Sequence, residues 1–487
     1  GGGPTLVLTA RAAPYTVADL RRLAPRAVVA QGPGTYLLTE SLYVAAGATL
    51  YLDQPGLTLR LASDVDGHVS IVSVGGRIVV VGGSGSPVTL TSWDRRAGAP
   101  DTRPDDGRAY LRAVAGALLL RYAAATHLGF GGGPTGGVSA AGPDPVPPPA
   151  PRIPEDSGGA PLVTPEARYT RPLPYEPVTV RASRFAGNAV GLSLDGAART
   201  VVVASVLADN LGDGLVLRGA VTDARVSRTT ARANGGSGFV LSAAAHRTAL
   251  TWCTAEANGR DGFAVAAGAH PEAPAHRAVG ADSEITSGTA QDNARHGISV
   301  TGARRLTLRG NRVVGGETGI VVRASADVAV VDNHLRSARR HGVAVLDGAG
   351  PATVENNVVA EVRTGVYVRE AVAAVRGNTV TKAGAHGVTF VGRTTGSAAA
   401  GNVLGSAGGS PVRLATDGEV TVAGNRTVAE GAAWWPALAS ATPTTVLWGG
   451  VGALLLVMRL RRRRVVPPVG VGVPARPGGV RGDAGRR

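Results

Sequence analysis

Residues 188–241 read NAVGLSLDGAARTVVVASVLADNLGDGLVLRGAVTDARVSRTTARANGGSGFVL, and one signature occurs three times within them. An Asn is followed by a Gly, and the Gly by an apolar, a variable and a second apolar residue. Asn188 precedes Gly191, Leu192 and Leu194; Asn210 precedes Gly214, Leu215 and Leu217; Asn234 precedes Gly238, Phe239 and Leu241. Alternation with period two is what a strand with one buried face requires. A recurrence after about two dozen residues is the period of a solenoid.

Outward from this stretch the pattern reopens at Gly262, Gly297, Gly319, Gly342, Gly365 and Gly387. The intervals from Gly191 onward are 23, 24, 24, 35, 22, 23, 23 and 22 residues. Such a period holds about three short strands and three turns, and stacking the coils pairs each strand in parallel with its counterpart. The expected fold is therefore all-β, a right-handed parallel β-helix over residues 31–430. A leucine-rich repeat fits less well, because its Leu spacing is absent. At ~4.8 Å per coil, the nine glycines should span roughly 40 Å.

Asparagine falls in two columns. Asn188, Asn210, Asn234, Asn258 and Asn293 lie three or four residues before the Gly, whereas Asn311, Asn333, Asn356 and Asn378 lie eight or nine before it. Each column is expected to mark a turn and to bond between coils, since Asn accepts left-handed backbone and stacks its amides. The 35-residue interval contains an insertion at 267–284, and a second irregular, Pro-rich stretch occupies 142–177. YTVADLRRLAP, with Thr16 as N-cap, reads as a short amphipathic helix in a capping segment 1–30.

The formal charge is +15, yet it does not point to nucleic acid. Nine arginines against Asp483 follow position 458, and Lys382 is the one lysine in the chain. A phosphate-binding protein clusters its basic residues on one face. The single cysteine, Cys253, excludes an intrachain disulfide and any multi-cysteine metal site. Nothing in the sequence calls for a cofactor.

Residues 434–458, WWPALASATPTTVLWGGVGALLLVM, carry no charge over 25 positions and are followed by RLRRRR. A bilayer core of ~30 Å takes about 20 apolar residues in a helix, and an arginine run marks a cytoplasmic flank. We expect one C-terminal transmembrane helix, the repeats outside the cell membrane, and a disordered basic tail over 459–487. The opening GGGPTLVLTARAAPYT shows no initiator Met and no basic region before an apolar core, which points to a truncated or processed N-terminus.

The pieces VTLTSWD, DGRAYLRAVAG, THLGFGGGPTGGVS, ARHGISV and RRHGVAV, together with the Asn and Gly columns, resemble the mannuronan C-5-epimerases of the parallel β-helix carbohydrate-binding and sugar-hydrolase superfamily. The resemblance spans roughly residues 15–430. It implies chemistry in which a base takes the C-5 proton of a uronate, a cation neutralises the carboxylate, and a proton returns on the opposite face. The family's base is the His of a DPHD motif, four residues after a coil Gly. Here that column reads Asp195, Arg218, Ser242, Ala266, Thr301, Arg323, Leu346, Arg369 and Val391, so the motif is missing.

Other candidates remain. His296, His341 and His386 each precede a coil Gly, in alternate coils about 10 Å apart. That is too far for a shared metal, so they read as surface turn residues. Asp213 and Asp261 share their column. The insertion supplies His270, Glu272 and His276, flanked by Asp261 and His296, as places for a displaced base. Arg218, Arg323 and Arg369 share a column suited to an anionic glycan. Of the tryptophans outside the membrane segment, Trp93 and Trp252, the second is expected to be buried beside Cys253. The leading expectation is a surface protein that binds or organises an anionic exopolysaccharide or wall glycan. The alternatives are an active uronate-polymer epimerase or lyase and a non-catalytic scaffold of an envelope complex.

Overall fold

A computed structural model describes residues 4–142, 177–266, 282–406 and 409–428. One coil consists of a glycine-bearing strand Val190–Asp195, a second strand Val201–Val203 and a third strand Val206–Ala208, after which the next glycine strand, Leu215–Arg218, begins. Each pairs in parallel with its counterpart: Leu192 with Leu215, Val202 with Val226, Leu207 with Ala231. Among the described residues the second column forms one sheet of 14 strands, from Thr49–Leu52 to Val420–Ala423.

The apolar pairs stack as the repeat demands. Leu215, Phe239, Phe263 and Ile298 are direct register partners and are each at most 1% exposed. Phe239 and Phe263 stack with centroids 5.0 Å apart. The glycine between strand and corner is required by the next coil: a Cβ on Gly214, Gly238 or Gly262 would sit 2.5 to 2.8 Å from the carbonyl oxygen of the following coil's glycine. No side chain fits there.

Both asparagine columns are buried ladders at different corners. In the first, between the third and glycine strands, Asn234 Oδ1 accepts the backbone N–H and Nδ2 of Asn210 at 3.2 and 2.7 Å. Asn234 Nδ2 donates to Leu207 O and to Asn258 Oδ1. The second, between the second and third strands, runs Asn311, Asn333, Asn357, Asn378, Asn402 and Asn425. Its third member is Asn357, not Asn356, which is exposed with φ 54°. Where the first ladder ends, buried Ala338, Val362 and Ala383 take over its corner. In Val358–Arg369 and Thr379–Gly392 the third and glycine strands run on without a break.

Several boundaries shift. The β-helix begins before residue 31, because Thr5–Leu8 already pairs in parallel with Ser41–Val44. The capping helix α1 (Val17–Leu23) has Thr16 as N-cap, with Asp19 closing the capping box and Val17 and Leu20 buried. Gly142 donates to Asp195 O at 2.8 Å and so belongs to a coil. Ser283–Thr286 is a strand of the second column, which ends the insertion earlier than 284. Residues 143–176, 267–281 and 429–487, and with them most of the Pro-rich stretch and the expected span 434–458 and tail, lie outside the described residues. Among the described residues no helix is long and apolar enough to cross a membrane.

Candidate ligand-binding face

The outward side of the glycine strands gathers most of the reactive side chains. The residue before each Gly forms a register column in which His296, Thr318, His341, Thr364 and His386 follow one another. The histidines are not exposed turn residues: His296 is 5% exposed, and His341 and His386 are half-buried. The neighbouring coil covers them: the His341 ring lies against Tyr367, and His386 Nδ1 lies 2.9 Å from Ser410 O. Burial lowers the His296 pKa, opposed by the charge of Asp261. Burial, helped by Arg340 and Arg363, lowers that of His341 to about 4. Both imidazoles are therefore neutral at pH 7, and their buried Nδ1 atoms have no hydrogen-bond partner among the described residues.

A hydrogen-bonded string leads up to His296. Asp213 accepts from Ser237 N at 2.7 Å, Ser237 Oγ accepts from Asp261 N at 3.4 Å, and Asp261 accepts from His296 N at 3.1 Å and Ser299 Oγ at 2.9 Å. The expected pair Asp261 and His296 is thus brought together, but through the histidine's backbone rather than its ring. Glu317, held below the usual carboxylate range mainly by Arg340 at 2.9 Å, stands beside the histidine column.

The column of outward residues one step into the strand was the variable one in sequence. With Leu346 from the column two residues on, it supplies an apolar strip: Val321, Ala344 and Leu346 are buried on the outer side, with Tyr367 packed against them. Tyr367 stacks on His341, with ring centroids 4.5 Å apart and planes 12° from parallel. Sequence reading missed this pair, although the coil register places Tyr367 directly after Ala344.

Of the three candidate arginines, two act together. Arg323 and Arg369 flank Leu346 in register, and both reach Asp347, at 3.7 and 2.7 Å. That leaves a local excess of one positive charge at the rim of the apolar strip. Arg218 stands apart, its guanidinium against Gly132 and Gly133. Four coils separate it from Arg323, roughly 20 Å at the usual strand spacing. His270, Glu272 and His276 lie outside the described residues, which stop at the end of the strand Phe263–Ala266 and resume at Asp282. Among the described residues no three His, Cys, Asp or Glu side chains gather as a metal ion requires.

The stretch Ser92–Gly129, which runs from SWD to HLG in the pieces that carry the resemblance, helps build a buried knot. Arg108, 1% exposed, donates to the carbonyls of Gly129 at 2.7 Å and Gly187 at 3.0 Å. Ser63 donates to the buried Asp101 at 2.6 Å. These groups face the backbone of neighbouring coils, so they hold the early coils together. Trp93 lies beneath the Arg60 guanidinium, 3.5 Å from its ring centroid. Trp252 is 68% exposed, while its neighbour Cys253 is buried, with a thiol pushed up to about 12 by burial. The expectation that both are buried fails because the corner turns one side chain out and the other in.

The model of the right-handed β-helix region matches residues 175–276 and 273–404 of this chain. No curated protein matches it. Among solved structures, two mutants of the periplasmic alginate epimerase AlgG superpose with TM-scores of 0.58 and 0.56. They are 13% and 14% identical, over 86% and 87% of this chain and 85% of each of theirs. At that identity the likeness is one of fold. The chain is a right-handed parallel β-helix, the fold it shares with those structures.

Proposed function

We propose that this chain binds an anionic polysaccharide along the outer face of its glycine strands. The observation that carries the reading is one strip that joins the buried apolar residues Val321, Ala344 and Leu346, the stacked His341–Tyr367 pair and the Arg323–Asp347–Arg369 cluster. The buried apolar residues support the strip from beneath, the half-buried Tyr367 ring suits the C–H face of a pyranose, and the exposed guanidinium groups suit carboxylates. The likeness in fold to a periplasmic alginate epimerase supports the choice of a uronate polymer. The test is retention of the full chain on immobilised polymannuronate; passage through at low salt would remove the proposal.

A second reading, turnover, is favoured by His341. A neutral imidazole stacked on a phenol offers a proton acceptor and a donor side by side, and a nearby guanidinium offsets a carboxylate charge. In epimerisation the C-5 proton goes to a base and a proton returns to the opposite face, so the polymer takes up solvent label. Incubation in deuterated water followed by NMR decides it: absence of deuterium at C-5 in any uronan leaves binding alone.

In the same reading, residues 434–458 hold the β-helix outside the cell membrane. The support is their charge-free length and the arginines at 459 and 461–464. Resistance of the membrane-bound chain to alkaline extraction is the expected result.

A further inference from the structure

We propose that Trp252 and the hydroxyl columns beside it form a second carbohydrate contact, stacking the apolar face of a pyranose ring of a polysaccharide. Trp252 sits at the corner between the second and third columns, after Ala249–Thr251 and before Thr254–Glu256. Its backbone is left-handed, with φ 56°, as is the equivalent residue of the coils around it, Ala204, Arg228, Ser287 and Gly310. Of these five positions only this one carries an aromatic ring, and 68% of it is exposed. Tryptophan at the surface forgoes the burial that usually places it, and its ring offers a flat apolar platform with one N–H donor.

The surroundings suit a sugar. On one side of the corner Ser227, Thr251 and Thr286 stand in register on the outer surface. On the other side Thr230, Thr254 and Thr289 do the same. All six are half-buried, and their neighbours on the two strands, such as Leu250 and Ala255, are buried in the core. The indole thus rises between two short ladders of hydroxyl groups, each rung one strand spacing from the next. Ser287 and Gly310, the residues that follow it along the corner, are small, and Arg228 precedes it. The corner uses no residue of the glycine-strand face, so this contact is additional to the binding proposed there.

The test uses the full chain in detergent with four probes, polymannuronate, polyguluronate, a neutral mannan and a neutral β-glucan. Ala204 occupies the equivalent backbone position with φ 51°, so Trp252→Ala should fold, as its circular dichroism and melting temperature will report. We expect at least one polymer to bind about tenfold more weakly to Trp252→Ala and within about threefold of normal to Trp252→Phe, as ring stacking predicts. The polymer should also shield from acrylamide the fluorescence component that Trp252→Phe lacks, and should still do so in Arg323→Ala/Arg369→Ala. Unchanged affinity in Trp252→Ala, or no shielding by any of the four polymers, overturns the proposal. Shielding absent while affinity still depends on Arg323 and Arg369 would sink this corner alone; shielding present while that dependence is absent would sink the other face alone.

Discussion

Asn234 shows how much a single side chain carries in this molecule. Its amide oxygen takes two bonds from the coil before, and its nitrogen gives one back to a carbonyl there and one onward. Alanine at 234 leaves several buried partners unpaired at about 1–3 kcal/mol each, so Asn234→Ala should cost on the order of 3 kcal/mol or more in urea unfolding. Asn356→Ala, on the exposed side of its corner, should cost no more than the ~1–2 kcal/mol of left-handed backbone. Sequence could not separate Asn356 from Asn357, because both are Asn and only the direction of the side chain distinguishes them. His341 was legible as a column member but not as a half-buried base, since its cover comes from the neighbouring coil. With a folded pKa near 4 against an ordinary 6.5, the unfolded chain binds the proton more readily between those values. Stability is then full above about pH 6.5 and falls as the pH drops toward 4. His341→Gln should make that fall shallower in denaturation curves collected across the window.

The strand and its corner form the next scale. The glycine and apolar columns could be read directly, because they are spaced within one strand and repeat with every coil. What could not be read was contact between columns: His341 with Tyr367, or Arg323 and Arg369 through Asp347, needs the register of three strands at once. The exposure of Trp252 likewise depends on which way a two-residue corner turns. The glycines test this scale. A Cβ on Gly214 would meet Gly238 O at 2.5 Å, whereas at Gly196, with φ 55°, it would meet nothing within 4 Å. Gly214→Ala should therefore lower stability by about 2–4 kcal/mol, as a forced separation of packed backbones does. Gly196→Ala should cost only the ~1–2 kcal/mol of left-handed backbone. Equal losses in calorimetry would contradict the close coil-to-coil approach at Gly214.

For the molecule as a whole, the long parallel stack turns short sequence repeats into continuous surfaces, each with its own chemistry. The corner ladders hold the coils in register. The glycine-strand face sets a ring pair and cations over buried apolar residues, and residue spacing along it is set by the strand repeat rather than by any loop. This is why a ligand with its own repeat, a polysaccharide, suits it. The measurement that bears most directly on this is calorimetric titration of the full chain with size-defined polymannuronate, at low and raised salt. Arg323→Ala/Arg369→Ala is compared with Arg309→Ala/Arg312→Ala on the other two columns. Saturable binding that weakens with salt and falls about tenfold or more in the first pair but not the second is the predicted result. Absence of binding, or equal loss in both pairs, would contradict it.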